Sequence, residues 1–291
     1  MNPITAERKE ASLGSFVFRD RIMTILRYAV LICSSLATIF PFLWIVLCAF
    51  RDNTQIYTMP FALPDPLILA NFPKVFKSAN LFNTLLNSFL YASVTVAVVI
   101  VLAAMVAFFL SKFLKKQGWL FTYFIAGILI PVQAILIPLF VTTRDLGLIN
   151  TMQGILIVYI ATNLSFAIFV LTGFMRKGVP DEMIEATIID GCGPIRCFFM
   201  VVLPLSQTGI ATVATFVFLG VWNEFLFALI LLTDPAIRTL NLSIFMLRGQ
   251  YSSDQGLMSA GVLVLITPAI LIYIFFQEKV VQGLTAGAVK G

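Results

Sequence analysis

Histidine is absent from the 291-residue chain, which removes any imidazole base, Ser–His pair or His-ligated metal from its chemistry. Charge is scarce as well. Only 11% of residues are charged, against about 25% in a soluble domain, while 60% are hydrophobic. So little charge cannot cover a folded surface for water, and the chain reads as an integral membrane protein. A cytosolic enzyme, a disordered tail, a collagen and a small disulfide scaffold are excluded. The four cysteines are Cys33, Cys48, Cys192 and Cys197. Two lie in an apolar run and two lack C-x-x-C spacing, so free thiols packing as small hydrophobes are expected, not a metal site. No G-x₄-G-K-[ST] phosphate cradle, internal repeat or low-complexity tract is present.

What is abundant is long apolar sequence. A spanning helix needs about 20 mainly apolar residues. Six windows qualify, near 23–50, 84–111, 119–142, 154–175, 205–232 and 258–277. The first is too long for a signal peptide's apolar region and is read as a retained span. Thirteen of the 19 basic residues then fall on one side, among them Arg8, Lys9, Arg19, Arg21, Arg27, Lys112, Lys115, Lys116, Arg176 and Lys177. Basic residues favour the cytoplasmic face, so both termini are expected inside. The net charge of +5 reads as orientation in the bilayer and not as nucleic-acid binding.

On the outer side, Pro60, Pro64, Pro66 and Pro73 predict an ordered, extended cap with little helix over 51–83. Residues 143–153 form a short turn. Residues 233–257 are polar and read either as a solvated loop or as a face for a soluble partner. The prolines inside spans, Pro41, Pro131, Pro138 and Pro268, read as kinks.

One inner connection differs from the others. Pro180 opens a stretch holding Asp181, Glu182, Glu185 and Asp190, four of the chain's 14 carboxylates. Proline at the start with acids in the first turn predicts a helix that complements the macrodipole. Gly191 and Gly193-Pro194 end it. A second short apolar helix, Ile195 to Leu203, leads to Pro204. Such a helix either lies in the headgroups or docks into a cleft of a soluble protein; its four carboxylates beside anionic lipid favour docking. Ile184 and Ile188, one turn apart, would form the apolar anchor and Ala186 would permit close approach.

Glu185-Ala186-Thr187, then Gly191, then Val201-Val202-Leu203-Pro204 resembles the EAA loop of ABC importer permeases, E-A-A-x₃-G-x₉-I-x-L-P. Thr187 replaces the second alanine and Val201 the isoleucine, with the spacing kept. Asn87-Ser88, Trp222-Asn223-Glu224 and the terminal run Gly283–Gly291 are similar to the MalG-like carbohydrate importer permeases. The resemblance implies an all-α membrane protein of six transmembrane helices of the type I importer kind. It implies a cytoplasmic tail at 1–22, a first span and extracytoplasmic loop at 23–83, a five-span core at 84–277 with the coupling loop at 181–204, and a cytoplasmic tail at 278–291.

It further implies a permease, not an enzyme, in a prokaryotic inner membrane. The partners would be a second homologous permease, two ATPase subunits that hold ATP and Mg, and an extracytoplasmic solute-binding protein. This chain would bind no cofactor. Glu185, Ala186, Thr187, Asp190, Gly191, Leu203 and Pro204 would couple to the ATPase, and the terminal run would also touch it. The solute would be a sugar or oligosaccharide, with another solute, such as a glycerol phosphate, an amino acid or a peptide, as the nearer alternative.

Within the membrane, Glu224 is the one clearly buried charge, beside Asn223 in the fifth window. Intramembrane charges face a cavity or a partner, so Glu224 belongs either to the substrate path or gate or to a contact with the partner permease. Asn87, Gln133 and Asn163 are lesser candidates, since amides commonly cross-link helices. An ion-coupled secondary transporter would want more intramembrane ionisable groups and inverted repeats.

Overall fold

The computed structural model describes the backbone of residues 3–114, 118–248 and 254–288, and side chains over 21–114, 118–248, 254–275 and 277. Lys115, Lys116 and Gln250 lie outside the described residues, as do residues 289–291 of the terminal run and the side chains of Arg8, Lys9, Arg19 and Lys279. Every regular element among the described residues is helical.

Four helices are long and apolar enough to cross a membrane unbroken. They belong to α1 (Pro3–Ala49, apolar over Arg21–Ala49), α4 (Leu81–Lys112), α7 (Met152–Gly178) and α14 (Gln255–Ala288, apolar over Gln255–Phe275). Two further apolar stretches are bent pairs. α5 (Gly118–Leu129) and α6 (Val132–Asp145) meet at 92°, and Pro194–Leu205 and Gln207–Trp222 meet at 77°. Counting each bent pair as one span gives up to six.

Of the four prolines within apolar windows, Pro131 stands at a break and Pro41, Pro138 and Pro268 are carried inside helices. Bilayer hydrocarbon offers the backbone no alternative partner, which favours continuing the helix past a proline.

The expected extended cap over 51–83 is corrected: two short helices lie there, α2 (Asn53–Thr58) and α3 (Asn71–Ser78). Asp52 caps α2 by accepting from the Gln55 amide at 2.8 Å. Pro73 is the third residue of α3, where its missing N–H is not needed. The other prolines fall in the connection between α2 and α3. Arg51 is buried there, its guanidinium donating to the carbonyls of Gln55, Met59 and Pro60. Asn71 Nδ2 donates to the carbonyls of Ala49 and Arg51, both at 2.9 Å, and Gln255 N donates to Asn53 Oδ1 at 2.8 Å. The C-terminal end of α1 and the N-terminal end of α14 are thereby tied to one polar knot.

The core forms where α4 packs along α7, with the Gln207–Trp222 helix against both. The buried face of α4 carries Ala92, Val99, Ala103 and Ala107, small residues near one-turn spacing that let helices approach closely without a hydrophobic drive. Several buried threonines of the core helices bond back to their own chains, as Thr172 does to the Ile168 carbonyl at 2.6 Å and Thr215 to Ala211 at 2.8 Å, whereas the buried Thr95 hydroxyl of α4 finds no partner among the described residues. Cys48 and Cys197 are buried, Cys192 is half-buried and Cys33 exposed.

Candidate functional site

The stretch from Val179 to Ser206 leaves the bundle and returns to it. α8 (Asp181–Ile189) begins after Pro180, with Asp181 and Glu182 in its first turn. Its end is a complete glycine cap. Gly191 N donates to the Ile188 carbonyl at 3.0 Å and Cys192 N to the Thr187 carbonyl at 3.1 Å, with Gly191 at φ +78°. That left-handed conformation costs an L-residue roughly 1–2 kcal/mol, which gives the expected turn at Gly191 a physical cause.

After the turn come α9 (Pro194–Cys197), a π turn over Phe198–Val202, and α10 (Leu203–Leu205). The single short helix expected from Ile195 to Leu203 is therefore helical but not uniform. The sharp bend falls at Ser206, two residues after Pro204. Ser206 is buried, and its hydroxyl finds no hydrogen-bond partner among the described residues.

The faces of α8 are divided. Ile184 is 6% exposed and packs into the chain's own core, while Ile188 is 54% and Ile189 84% exposed. The expected pairing of Ile184 with Ile188 as one anchor is corrected. Burying Ile184 seats the helix on its own bundle at about 1.5–3 kcal/mol. Ile188, Ile189, Met183 and, beyond the turn, Ile195 form the uncovered apolar set. Glu185, Ala186 and Asp190 are exposed beside them. Thr187, the departure from alanine, bonds its hydroxyl to the Met183 carbonyl at 2.6 Å, so the added polar atom is satisfied within the helix.

A second polar grouping lies at the other end of the fifth window. The helix expected to run through 205–232 is broken: α11 (Gln207–Trp222) stops, and α12 (Leu226–Leu231) starts after three residues. Glu224 is not inside a helix. Its Oε1 accepts from the Phe227 amide at 2.7 Å, and its Oε2 from the Ala228 amide at 3.1 Å and the Tyr159 hydroxyl at 2.8 Å. The carboxylate thus satisfies two orphan N–H groups at the start of α12, where the helix end favours negative charge. Asn223 is exposed and its carbonyl accepts from Asn241 Nδ2 at 3.1 Å. Asn163 Nδ2 donates to the Tyr159 carbonyl at 2.8 Å, and its Oδ1 lies 3.8 Å from where a Cβ on Gly220 would stand. Tyr159, Asn163, Gly220 and Glu224 therefore form one polar patch between α7 and the α11–α12 break.

The remaining candidates are placed apart from it. Gln133 is exposed in the first turn of α6, beside the 92° corner. Asn87 is buried and donates to the carbonyls of Ala236 at 2.9 Å and Arg238 at 3.1 Å. Ser88 Oγ accepts from Leu240 N at 2.8 Å, Tyr91 donates to the Ile237 carbonyl at 2.8 Å, and Asn150 Oδ1 accepts from the amides of Thr233 and Asp234. These side chains hold the 233–240 loop to α4 and to the start of α7. Sequence reading singled out neither Tyr159 nor Asn150, each being a lone residue in an unremarkable setting.

A bundle of long apolar helices and bent pairs, with a short acidic helix emerging from it, has the architecture of a membrane permease. The chain belongs to the family described as binding-protein-dependent transport system inner membrane component, whose profile matches residues 99–284. It is an ABC importer permease subunit of the MalG-like kind and a multi-pass membrane protein.

It is 33% identical over 304 residues to the diacetylchitobiose uptake system permease protein NgcG of Streptomyces coelicolor, covering 100% of both chains. It is 31% identical to the sulfoquinovosyl glycerol transport system permease protein SmoH of Agrobacterium fabrum, covering 96% of this chain and 97% of that one. It is 27% identical to the melibiose/raffinose/stachyose import permease protein MelC of Bacillus subtilis, covering 93% and 97%. The fold matches a chain from the crystal structure of a bacterial ABC transporter for the acidic polysaccharide alginate, with TM-score 0.79, 21% identity, and 89% and 96% of the two chains covered.

Proposed function

We propose that this chain is the transmembrane permease subunit of an ATP-driven importer that moves a sugar or oligosaccharide delivered by an extracytoplasmic binding protein. ATP and Mg are held by two separate ATPase subunits, and a second homologous permease completes the pathway. The termini and α8 face the cytoplasm, as the basic residues favour. The observation that carries this reading is α8 itself. One flank is seated on the bundle through Ile184, and the other presents Glu185, Ala186, Ile188 and Ile189 uncovered.

In this reading Glu185 bonds the ATPase surface, Ala186 admits close contact and Gly191 fixes the turn, with Thr187, Asp190, Leu203 and Pro204 completing the coupling element. Closure of the ATPases displaces α8, and nucleotide and loaded binding protein favour the same conformation and shift its population. The polar patch of Tyr159, Asn163 and Glu224 is assigned to the wall of the substrate path, with Asn223 beside it; Gln133 and Asn87, which lie apart from the patch, are assigned to the path at other points. A carboxylate and amides suit the hydroxyls of a carbohydrate. Relatives named for diacetylchitobiose, sulfoquinovosyl glycerol and raffinose-type sugars support that solute class.

The test is Glu185→Lys in the assembled complex in vesicles. The variant is expected to insert normally and to lose both stimulated ATP hydrolysis and uptake. Uptake that persisted and collapsed only with the ion gradient would overturn the reading in favour of a secondary transporter.

A further inference from the structure

Lys112 is the last residue of α4, and its side chain is only 5% exposed. A lysine at a helix end ordinarily extends into water, because burying an ammonium without partners is strongly unfavourable. Here the ammonium is turned toward the start of α8. It donates to the carbonyl of Val179 and to Asp181 Oδ1 at 3.0 Å. Val179 is itself buried, and Val179-Pro180 is the whole connection between α7 and α8. The two acceptors therefore bracket the joint on which α8 would pivot.

We propose that Lys112 is a positioning residue that fastens the N-terminal end of α8 to α4, so that movement of α8 is delivered to α4 and α7 together. This rests on the reading of α8 as the ATPase-docking element. At its N-terminal end α8 is joined by the chain only to α7, through Val179, whose backbone can rotate, and Pro180, whose ring fixes φ but leaves ψ free. Ile184 seats the middle of α8 by non-directional apolar contact, which allows the helix to roll. The ammonium adds a directional, charge-assisted link at the first turn. Because α4 packs along α7 and carries the buried Ala103 and Ala107 in the turns before Lys112, a pull on Lys112 is carried into the core of the bundle.

Loss of Lys112 leaves α8 docked and foldable but poorly coupled. A cavity of about 340 Å³ lined by Ser111, Lys112, Arg176 and Asp181 borders the pair, with room for a guanidinium in place of the ammonium.

The experiment uses the assembled complex in vesicles and reads sugar uptake per ATP hydrolysed, together with ATPase co-purification. Lys112→Met is expected to keep the ATPase bound and hydrolysing near the wild-type rate while uptake per ATP falls about five- to tenfold. Lys112→Arg, which retains donors for both acceptors, is expected to restore most of it. Asp181→Asn, a change at the more exposed partner, is expected to fall between them and decides the matter if Lys112→Met fails to assemble.

A wild-type ratio of uptake to hydrolysis in both Lys112→Met and Asp181→Asn overturns the proposal, as does a parallel loss in Lys112→Arg. These outcomes are separable from failure of the functional reading: if Glu185→Lys leaves ATPase-driven uptake intact, α8 is not the docking element at all. If Glu185→Lys uncouples while Lys112→Met does not, only the role of Lys112 falls.

Discussion

The hydroxyl of Tyr159, about two turns into α7, donates to Glu224 Oε2 at 2.8 Å across the break between α11 and α12. The same carboxylate caps two amides of α12. One acidic side chain thus ends a helix break and joins it to a neighbouring span.

Glu224→Ala is expected to leave two amides and a hydroxyl without their acceptor, at a cost on the order of 3 kcal/mol, since each orphaned buried group costs about 1–3 kcal/mol. The thermal midpoint of the purified complex should fall clearly, and uptake with it. Glu224→Gln keeps an acceptor oxygen and should lose less stability, about 1 kcal/mol, while still lowering uptake. Wild-type uptake in Glu224→Gln would remove the carboxylate from the substrate path.

Gly154 and Gly256 are the tightest helix glycines among the described residues. A Cβ at Gly154 would stand 2.1 Å from the Leu148 carbonyl oxygen, a backbone atom with little freedom to yield. Gly154→Ala should therefore cost about 3 kcal/mol or more through overpacking and sharply reduce folded yield. Gly173, with nothing within 4 Å of its would-be Cβ, is the internal control. Gly173→Ala should be neutral, or stabilising by up to about 1 kcal/mol from helix propensity. Chromatographic yield and thermal midpoint of the two variants check the contrast.

Asn87 and Asn150 hold the 233–240 loop from two sides. Asn87→Ala frees two carbonyls and is expected to loosen the loop by about 1–2 kcal/mol without unfolding the spans. Faster hydrogen exchange confined to 233–240 would show it, and unchanged protection there would count against the anchoring role.

The spans were legible because apolar length is a local property that context seldom overrides. The breaks were not. The fifth window is apolar almost throughout from Leu219 to Leu232, and only the pair Asn223-Glu224 interrupts it. The pair read as a charge inside a helix, when it is the charge that lets the helix stop. The segment 51–83 misled differently: Pro60, Pro64 and Pro66 fall between α2 and α3, and Pro73 occupies a first turn that tolerates it. On α8 the acids, the turn at Gly191 and the start after Pro180 all followed from residue type. The inward rotation of Ile184 did not, because nine residues with isoleucines at 184, 188 and 189 define no unique face. Lys112 counted only as an orienting charge, since nothing in its own neighbourhood names a partner 69 residues away.

The right-angled corner at Ile130-Pro131 carries a consequence for where water must go. A helix that ends abruptly leaves its last carbonyls, and the next helix its first amides, without internal mates. Hydrocarbon supplies none. The elbow between α5 and α6 therefore demands moisture or a polar neighbour deep within the apolar sequence. A proline, with no charge of its own, thereby marks a point where the wall of the permease must offer the backbone either water or a polar neighbour.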